Sequence, residues 1–200
     1  DTAFVPRTVA VPMLQHIGVA CTPLVQVGDT VKKGQKIGDG QGLCVPVHAS
    51  VSGTVTAIEP RRHPSGKDIL SVVIENDGLD TPDCTQIPHP DYASLEIDTI
   101  LAIIRESGVV GHGGAAFPSN MKALTSLGKI DTLISNACEC EPYITADDIL
   151  LRTSPEQVAA GLQIIAKVLD PQRIVLAIED NKPAAIARLK EVLTAERGIE

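Results

Sequence analysis

The chain has 200 residues, a formal net charge of −8 and a pI near 5.1. This charge argues against a nucleic-acid partner, because binding a phosphate backbone requires a basic face. The longest apolar stretch, residues 97–104, falls far short of the ~20 residues that cross a bilayer, so we expect no direct membrane span. The first residues lack the basic-then-apolar layout of an export signal, which predicts a cytoplasmic location.

The five cysteines do not follow a disulfide or metal-binding spacing. Only Cys138 and Cys140 are close in sequence, and the others are Cys21, Cys44 and Cys84. Zinc and iron–sulfur sites usually require four ligands, and no pair of Cys-x-x-Cys motifs occurs. The sequence therefore predicts reduced thiols and no metal site.

The first part of the chain has the pattern of an all-β domain. Apolar and β-branched residues alternate over residues 8–11, 53–59 and 69–75, and glycine, proline and aspartate interrupt the pattern between them. Residues 53–59 do not give one cleanly apolar face, since Ile58 lies out of phase with Val55 and Ala57. We predict short strands here.

The rest of the chain alternates between helical and strand patterns. A stripe of isoleucine and leucine over residues 97–104 predicts a helix that Gly108 ends. Ser154 and Pro155 suggest a capping box with proline at the first helical position. The predicted elements are a strand at 132–135, a helix from 155 to about 169, a strand at 173–178 and a helix at 186–193.

This alternation predicts a mostly parallel sheet with helices on both faces, which is a Rossmann-like α/β arrangement. Two strands are few for an independent sheet, so we expect these residues to be the first part of a longer domain. Three prolines between residues 81 and 91 indicate a linker. The predicted fold is therefore α+β, with domains at 1–80 and 92–200 joined by a linker at 81–91.

Residues 23–38 and 49–55 resemble the barrel-sandwich hybrid of biotinyl and lipoyl carrier domains. In a carrier domain a lysine at a hairpin tip bears the cofactor. The corresponding residues 40–46 contain no lysine, so we expect the fold without carrier chemistry. A docking or scaffolding role for this domain is the favoured interpretation.

A glycine-rich segment lies at residues 108–122. Its glycines Gly111, Gly113 and Gly114 allow backbone N–H groups to approach a ligand without a Cβ in the way. Pro118 suits the first turn of a helix, whose N-terminus attracts phosphate, and Lys122 adds a positive charge. An ordinary tight turn explains the glycines equally well when the segment is taken alone.

An acidic turn follows the first strand of the predicted parallel sheet, at the edge where such sheets bind ligands. Asn136 offers an amide donor and a carbonyl acceptor, and Glu139 and Glu141 can accept hydrogen bonds from ribose hydroxyls or repel a 2′-phosphate. These carboxylates favour NADH over NADPH. A solvated acidic loop is the alternative interpretation.

Together, residues 111–118 and 136–143 resemble the flavin and NADH site of the RnfC family, which belongs to the Rnf ion-translocating complexes. They are more distantly similar to the flavin-bearing subunit of respiratory complex I. The resemblance implies FMN and NADH as cofactors, with electrons passing to iron–sulfur clusters. Ala116 stands where the complex I relatives commonly have glycine. The residues implied to contact flavin or NADH are Gly111, Gly113, Gly114, Phe117, Lys122, Asn136, Glu139 and Glu141.

The resemblance also implies a biological setting. The family has 4Fe-4S cluster motifs near its C-terminus, and residues 1–200 contain none. We therefore expect these residues alone to bind flavin poorly and to show no NADH oxidation. Expected partners are other subunits of the membrane complex and ferredoxin-type carriers, at the cytoplasmic face of the bacterial inner membrane. A microcompartment cobalamin reductase and a non-catalytic docking subunit remain open alternatives.

Overall fold

The computed structural model describes residues 4–85, 91–112, 114–139, 141–193 and 198–200. The chain forms two compact units. One comprises Asp1–Pro90 and Leu101–Lys122, and the other comprises Asp91–Ile100 and Ala123–Glu200. Of the predicted linker at 81–91, residues 86–90 lie outside the described part, and the division into domains at 1–80 and 92–200 stays a prediction.

The first unit contains two antiparallel sheets in its described residues. The four-stranded sheet has the order β1-β7-β6-β3, and the three-stranded sheet has the order β2-β4-β5. The strands are β1 Thr8–Pro12, β2 Thr22–Pro23, β3 Thr30–Val31, β4 Lys36–Asp39, β5 Val47–His48, β6 Gly53–Arg62 and β7 Asp68–Asn76. The three long strands were predicted. The shorter ones were not, because two to four residues between glycines and prolines give no usable periodicity.

The core of this unit is aliphatic and includes Met13, Ile37 and Ile74, all of which are fully buried. A bulge in β6 between Val55 and Ala57 shifts the pairing with β7 by one residue. Ile58 then packs against the core although it is out of phase with Val55. The bulge is therefore the physical reason for the irregular alternation in the sequence.

The second unit contains parallel strands β8, Thr132–Ala137, and β9, Arg173–Ile178. Leu151, Leu162, Leu176 and Leu189 form its buried core with Ala185. The helices of the described residues are α1 Ile97–Glu106, α2 Ser119–Ser126, α3 Ala146–Thr153, α4 Pro155–Leu169 and α5 Pro183–Val192, with a 3₁₀ turn at Tyr92–Ser94. None of these helices is long and apolar enough to span a membrane. The predicted two-domain α+β fold is confirmed.

The helix ends agree with the sequence in two places and differ in one. Gly108 follows α1 with a φ of 67°, and Pro155 is the first residue of α4, both as predicted. The capping box at Ser154 is wrong, since this side chain makes no capping hydrogen bond. The reason is that α3, which was not predicted, ends at Thr153, so Ser154 caps its C-terminus and donates its backbone amide back to the Leu150 carbonyl.

Candidate functional site

The glycine-rich segment forms a closed loop in the first unit. Val110 and Pro118 form an antiparallel bridge at its base. The Gly111 N–H donates to the Phe117 carbonyl at 2.9 Å. The Gly111 amide therefore stabilises the loop itself. Gly113, which was predicted to contact the ligand, lies outside the described residues.

Two residues at the loop tip have left-handed backbones. Gly114 has a φ of 89°, and no heavy atom of the described residues lies within 4 Å of the position that a Cβ would take. Ala116 has a φ of 46°, a conformation in which a residue with a Cβ is strained by about 1–2 kcal/mol. A relative with glycine at this position would avoid that strain. Phe117 is 37% exposed, so its ring is accessible to a ligand.

A cavity of about 360 Å³ adjoins the loop within the same unit. Gly114, Ala115 and Ala116 form one wall, and His63 and Lys67 from the turn between β6 and β7 form another. The Ala115 carbonyl accepts the Ile17 N–H at 3.2 Å, which fixes the loop against the cavity. Such a volume lies within the range of small-molecule sites, and the Lys67 ammonium gives the cavity a positive charge. His63 Nδ1 accepts the Ser65 N–H at 3.2 Å, so the other ring nitrogen, Nε2, carries a proton that it can donate.

Lys122 lies in the first turns of α2, and its backbone N–H donates to the Pro118 carbonyl at 3.1 Å. Its side chain does not line the cavity, and neither do Gly111 and Phe117. Sequence reasoning did not identify His63 and Lys67, because a lone histidine and lysine in a turn carry no recognisable pattern.

The acidic turn begins at the carboxyl edge of β8 in the second unit. Asn136 is exposed, and its Oδ1 accepts the Cys138 N–H at 3.1 Å. The side-chain amide nitrogen of Asn136 can therefore act as a donor to a ligand while the oxygen orders the turn. Glu141 is exposed, and Cys140 between the two glutamates lies outside the described residues.

Glu139 binds within the protein. Its carboxylate accepts the N–H groups of Asp147 at 2.8 Å and Asp148 at 3.4 Å, which are free donors in the first turn of α3. The Lys182 ammonium lies 3.1 Å from Glu139 Oε2, and the Glu139 side chain is only 3% exposed. Burial by itself would raise the pKa of Glu139, but the Asp147 amide and Lys182 outweigh it, and the pKa is lowered.

Glu139 therefore has a structural role, because it joins the acidic turn to the start of α3 and to Lys182. As a result, Glu141 lies at the surface, and its own carboxylate is not needed to hold the turn in place. Sequence reasoning missed Lys182, which is 43 residues away. The glycine loop belongs to the first unit and the acidic turn to the second, so a shared site stays a prediction.

Comparison with known families covers most of the chain. Residues 1–79 match the family described as the RnfC barrel sandwich hybrid domain, and residues 104–200 match the Nuo51 FMN-binding domain. The fold and the candidate site thus define the class of chains in which a barrel-sandwich hybrid precedes an FMN-binding domain.

The similarity to individual proteins extends over the whole chain. The C subunit of the ion-translocating oxidoreductase complex of Serratia proteamaculans is 45% identical over 99% of this chain and 28% of its own length. The C subunit of the Na⁺-translocating ferredoxin:NAD⁺ oxidoreductase complex of Acetobacterium woodii is 43% identical over 98% of this chain and 44% of its own length. The chain belongs to the RnfC family that these C subunits represent, and it spans less than half the length of either relative.

A crystal structure of an NAD⁺-reducing [NiFe]-hydrogenase in the H₂-reduced state also matches, with 23% identity and a TM-score of 0.44. The match covers 56% of this chain and 21% of the hydrogenase chain. A likeness at this level carries no argument about function.

Proposed function

We propose that this chain transfers electrons between NADH and iron–sulfur acceptors with the help of FMN, as the C subunit of an ion-translocating ferredoxin:NAD oxidoreductase complex. The observation that carries the proposal is the pair of domain matches: an FMN-binding domain at 104–200 follows a barrel-sandwich hybrid at 1–79. The relative from Acetobacterium woodii is named for this activity. FMN suits the step because it exchanges two electrons with a nicotinamide and single electrons with a cluster.

The glycine loop has the features that a phosphate-bearing cofactor needs. The space above Gly114 is open, and the adjoining cavity carries Lys67 and His63 on its far wall. Backbone amides at the loop tip on one side, and the Lys67 ammonium with the His63 Nε2–H on the other, would hold a phosphate from two directions. The left-handed backbone at Ala116 turns the chain so that Phe117 follows at the surface, where its ring would pack beside the flavin.

The acidic turn supplies the groups that favour NADH. Glu141 has an exposed carboxylate that can accept hydrogen bonds from the ribose hydroxyls and repel a 2′-phosphate. The exposed Asn136 amide can donate to a heterocycle edge. Because Glu139 and Lys182 bind each other, we assign them to holding this turn in place. Gly111, Gly113 and Lys122 remain proposed contacts of the flavin or of NADH.

The proposal includes partners and a location. Other subunits of the complex and ferredoxin-type carriers would exchange electrons with 4Fe-4S clusters that lie outside residues 1–200. The chain would sit at the cytoplasmic face of the bacterial inner membrane without entering the bilayer.

A non-catalytic docking subunit is the second candidate. It is favoured by the Gly111 amide and the Glu139 carboxylate, which both bind within the protein. The two candidates differ in one measurable property, which is bound flavin in the protein as its cell produces it.

The test compares two glycines with the same backbone. Gly114 and Gly78 are both exposed, have φ values of 89° and 72°, and have no heavy atom of the described residues within 4 Å of the position of an added methyl group. Alanine should therefore strain both positions by about 1–2 kcal/mol. We expect only Gly114→Ala to lower the flavin content and the NADH-dependent dye reduction, both measured on the protein as its cell produces it. The expected decrease is roughly tenfold, which is the effect of forcing a methyl group into a packed contact between the loop and the flavin.

Protein that contains no flavin and oxidises no NADH would overturn electron transfer and support docking. If Gly114→Ala and Gly78→Ala had equal effects, the glycine loop would not be part of the flavin site. Residues 1–200 alone should show no NADH oxidation, and turnover with added flavin and a dye acceptor would contradict this expectation.

A further inference from the structure

A histidine and two cysteines meet in the interior of the first unit. The ligand atoms of His16, Cys21 and Cys44 all lie within 4.8 Å of one another, and we call these three residues the thiol–imidazole cluster. Their exposed fractions are 6%, 4% and 1%. His16 and Cys21 lie between β1 and β2, and Cys44 lies between β4 and β5. The long sequence separation hides the cluster from motif analysis.

The two sulfur atoms are separated by a distance that suits a shared metal ion. Cys21 Sγ lies 3.4 Å from Cys44 Sγ. Tetrahedral zinc with Zn–S bonds of about 2.3 Å holds two thiolates about 3.8 Å apart, so the sulfurs would move by only a few tenths of an ångström. A disulfide, at about 2.05 Å, would require the sulfurs to approach by more than 1 Å. The separation therefore favours a bridging ion.

The imidazole has the hydrogen bonds of a metal ligand. His16 Nδ1 lies 3.1 Å from the Ile17 carbonyl, which can only accept, so Nδ1 carries the proton. Nε2 then carries the lone pair, which accepts the Val45 N–H in a long hydrogen bond of 3.3 Å. In a metal-bound histidine, the ring nitrogen that does not bind the metal usually donates its N–H to a carboxylate, a backbone carbonyl or water. Metal binding would replace this long hydrogen bond at the imidazole, together with the weak hydrogen bonds that the thiol protons make between the two sulfurs and to the Val45 carbonyl.

The surroundings are shaped to leave room for the cluster. A Cβ on Gly40 would lie 2.9 Å from Cys44 Sγ, and a Cβ on Gly38 would lie 3.2 Å from the Cys21 Cβ. The same Gly38 Cβ would lie 2.7 Å from the Met13 thioether sulfur. Glycines at both positions thus let sulfur atoms pack closely from several sides.

The charge balance of the buried space selects the type of ion. A divalent cation that displaces both thiol protons gives a site with no net charge, since two thiolates balance two positive charges and the imidazole is neutral. A neutral site avoids the large penalty for burying an ion. Thiolates and imidazole prefer zinc among the abundant divalent ions.

We propose that His16, Cys21 and Cys44 bind one zinc ion in the interior of the barrel-sandwich hybrid. Since a structural zinc ion takes four ligands, the Val45 carbonyl oxygen, which lies 3.2 Å from Cys21 Sγ and 3.7 Å from Cys44 Sγ, would complete the tetrahedron. The ion would link the segment before β2 to the segment before β5. Its role is structural, because all three side chains are buried.

The test titrates the metal-free, reduced chain with zinc against a chromophoric chelator. It is repeated with cadmium, whose thiolate bonds absorb in the ultraviolet. We expect one equivalent per chain and release of both thiol protons. Cys44→Ser should weaken zinc affinity at least about 100-fold, because loss of a residue that merely orients a metal ligand already lowers affinity by up to that factor. Cys84→Ser, which alters an exposed thiol of the same unit, should bind as the wild type does.

A second measurement requires no variant and so does not depend on the folding of Cys44→Ser. Burial already slows the alkylation of Cys21 and Cys44, so alkylation is carried out at urea concentrations that open the metal-free chain and is read by mass spectrometry of the peptides. Zinc should protect Cys21 and Cys44 there, but not the exposed Cys84. Absence of one-equivalent binding, or equal binding by Cys44→Ser and the wild type, would overturn the site. A disulfide between Cys21 and Cys44 in a chain that ignores zinc would also overturn it.

Discussion

Gly53→Ala should be among the most damaging single-methyl changes in the first unit. Gly53 begins β6 with a φ of 151°, and an added Cβ would lie 1.9 Å from the Glu75 carbonyl oxygen in β7. A Cβ atom essentially never lies closer than 3.0 Å to such an atom, so the two strands would have to separate by about 1 Å. Both strands are interior in the four-stranded sheet, and neither can shift without losing pairing on its other side.

The expected loss of stability follows from this geometry. A strained backbone costs about 1–3 kcal/mol, and the loss of about two ladder hydrogen bonds adds about 2 kcal/mol, which together give about 3–5 kcal/mol. Gly66→Ala is the matched control, since Gly66 lies in the turn of the same β6–β7 hairpin with a φ of 82° and no described atom within 4 Å of its Cβ position. Backbone strain alone, about 1–2 kcal/mol, should apply there.

Urea denaturation followed by far-ultraviolet circular dichroism gives both differences if the slope of the transition is unchanged. Alkylation of Cys21 and Cys44 during the titration reports on the first unit alone, because both thiols are buried in it. Equal losses for Gly53→Ala and Gly66→Ala would refute the close approach of β6 to the Glu75 carbonyl, and with it the register of the hairpin.

Three further changes test the candidate site and its support. Ala116→Gly should raise the free energy of unfolding by about 0.5 kcal/mol, because the strain removed at the left-handed Ala116 backbone exceeds the larger conformational entropy that glycine loses on folding. A lower urea midpoint would contradict this. Glu139→Gln should lower the urea midpoint at pH 7, whereas the exposed Glu141→Gln should not. Folding lowers the pKa of Glu139 from 4.5, so the ionised carboxylate stabilises the folded chain fully above that pH and loses this effect as the pH falls through the folded-state pKa. The difference in urea midpoint between Glu139→Gln and the wild type should therefore disappear in acid. A difference that does not change with pH would exclude the ionic contribution. Gly161→Ala, on an open face of α4, should stabilise the chain by up to about 1 kcal/mol in the same assay, and no gain would indicate that this part of α4 is not helical in solution.

The long elements and the family could be predicted from local stretches of sequence. Strands β6 and β7 have enough β-branched residues to be recognised locally, and Pro155 marks the start of α4. The glycine loop and the acidic turn are also local, since all the residues of each lie within a short stretch. This is why the resemblance to the RnfC family could be seen without coordinates and was confirmed by the comparisons.

The roles of individual side chains, in contrast, became visible only in three dimensions. Glu139 was predicted to contact the cofactor, and only the structure shows that the first turn of α3 and Lys182, 43 residues away, bind its carboxylate. Cys21 and Cys44 looked unrelated, but their sulfurs lie 3.4 Å apart. Contacts of this kind depend on how distant segments close on one another, and a hydrogen-bond donor or a buried thiol leaves no periodic trace in the sequence that would reveal its partner.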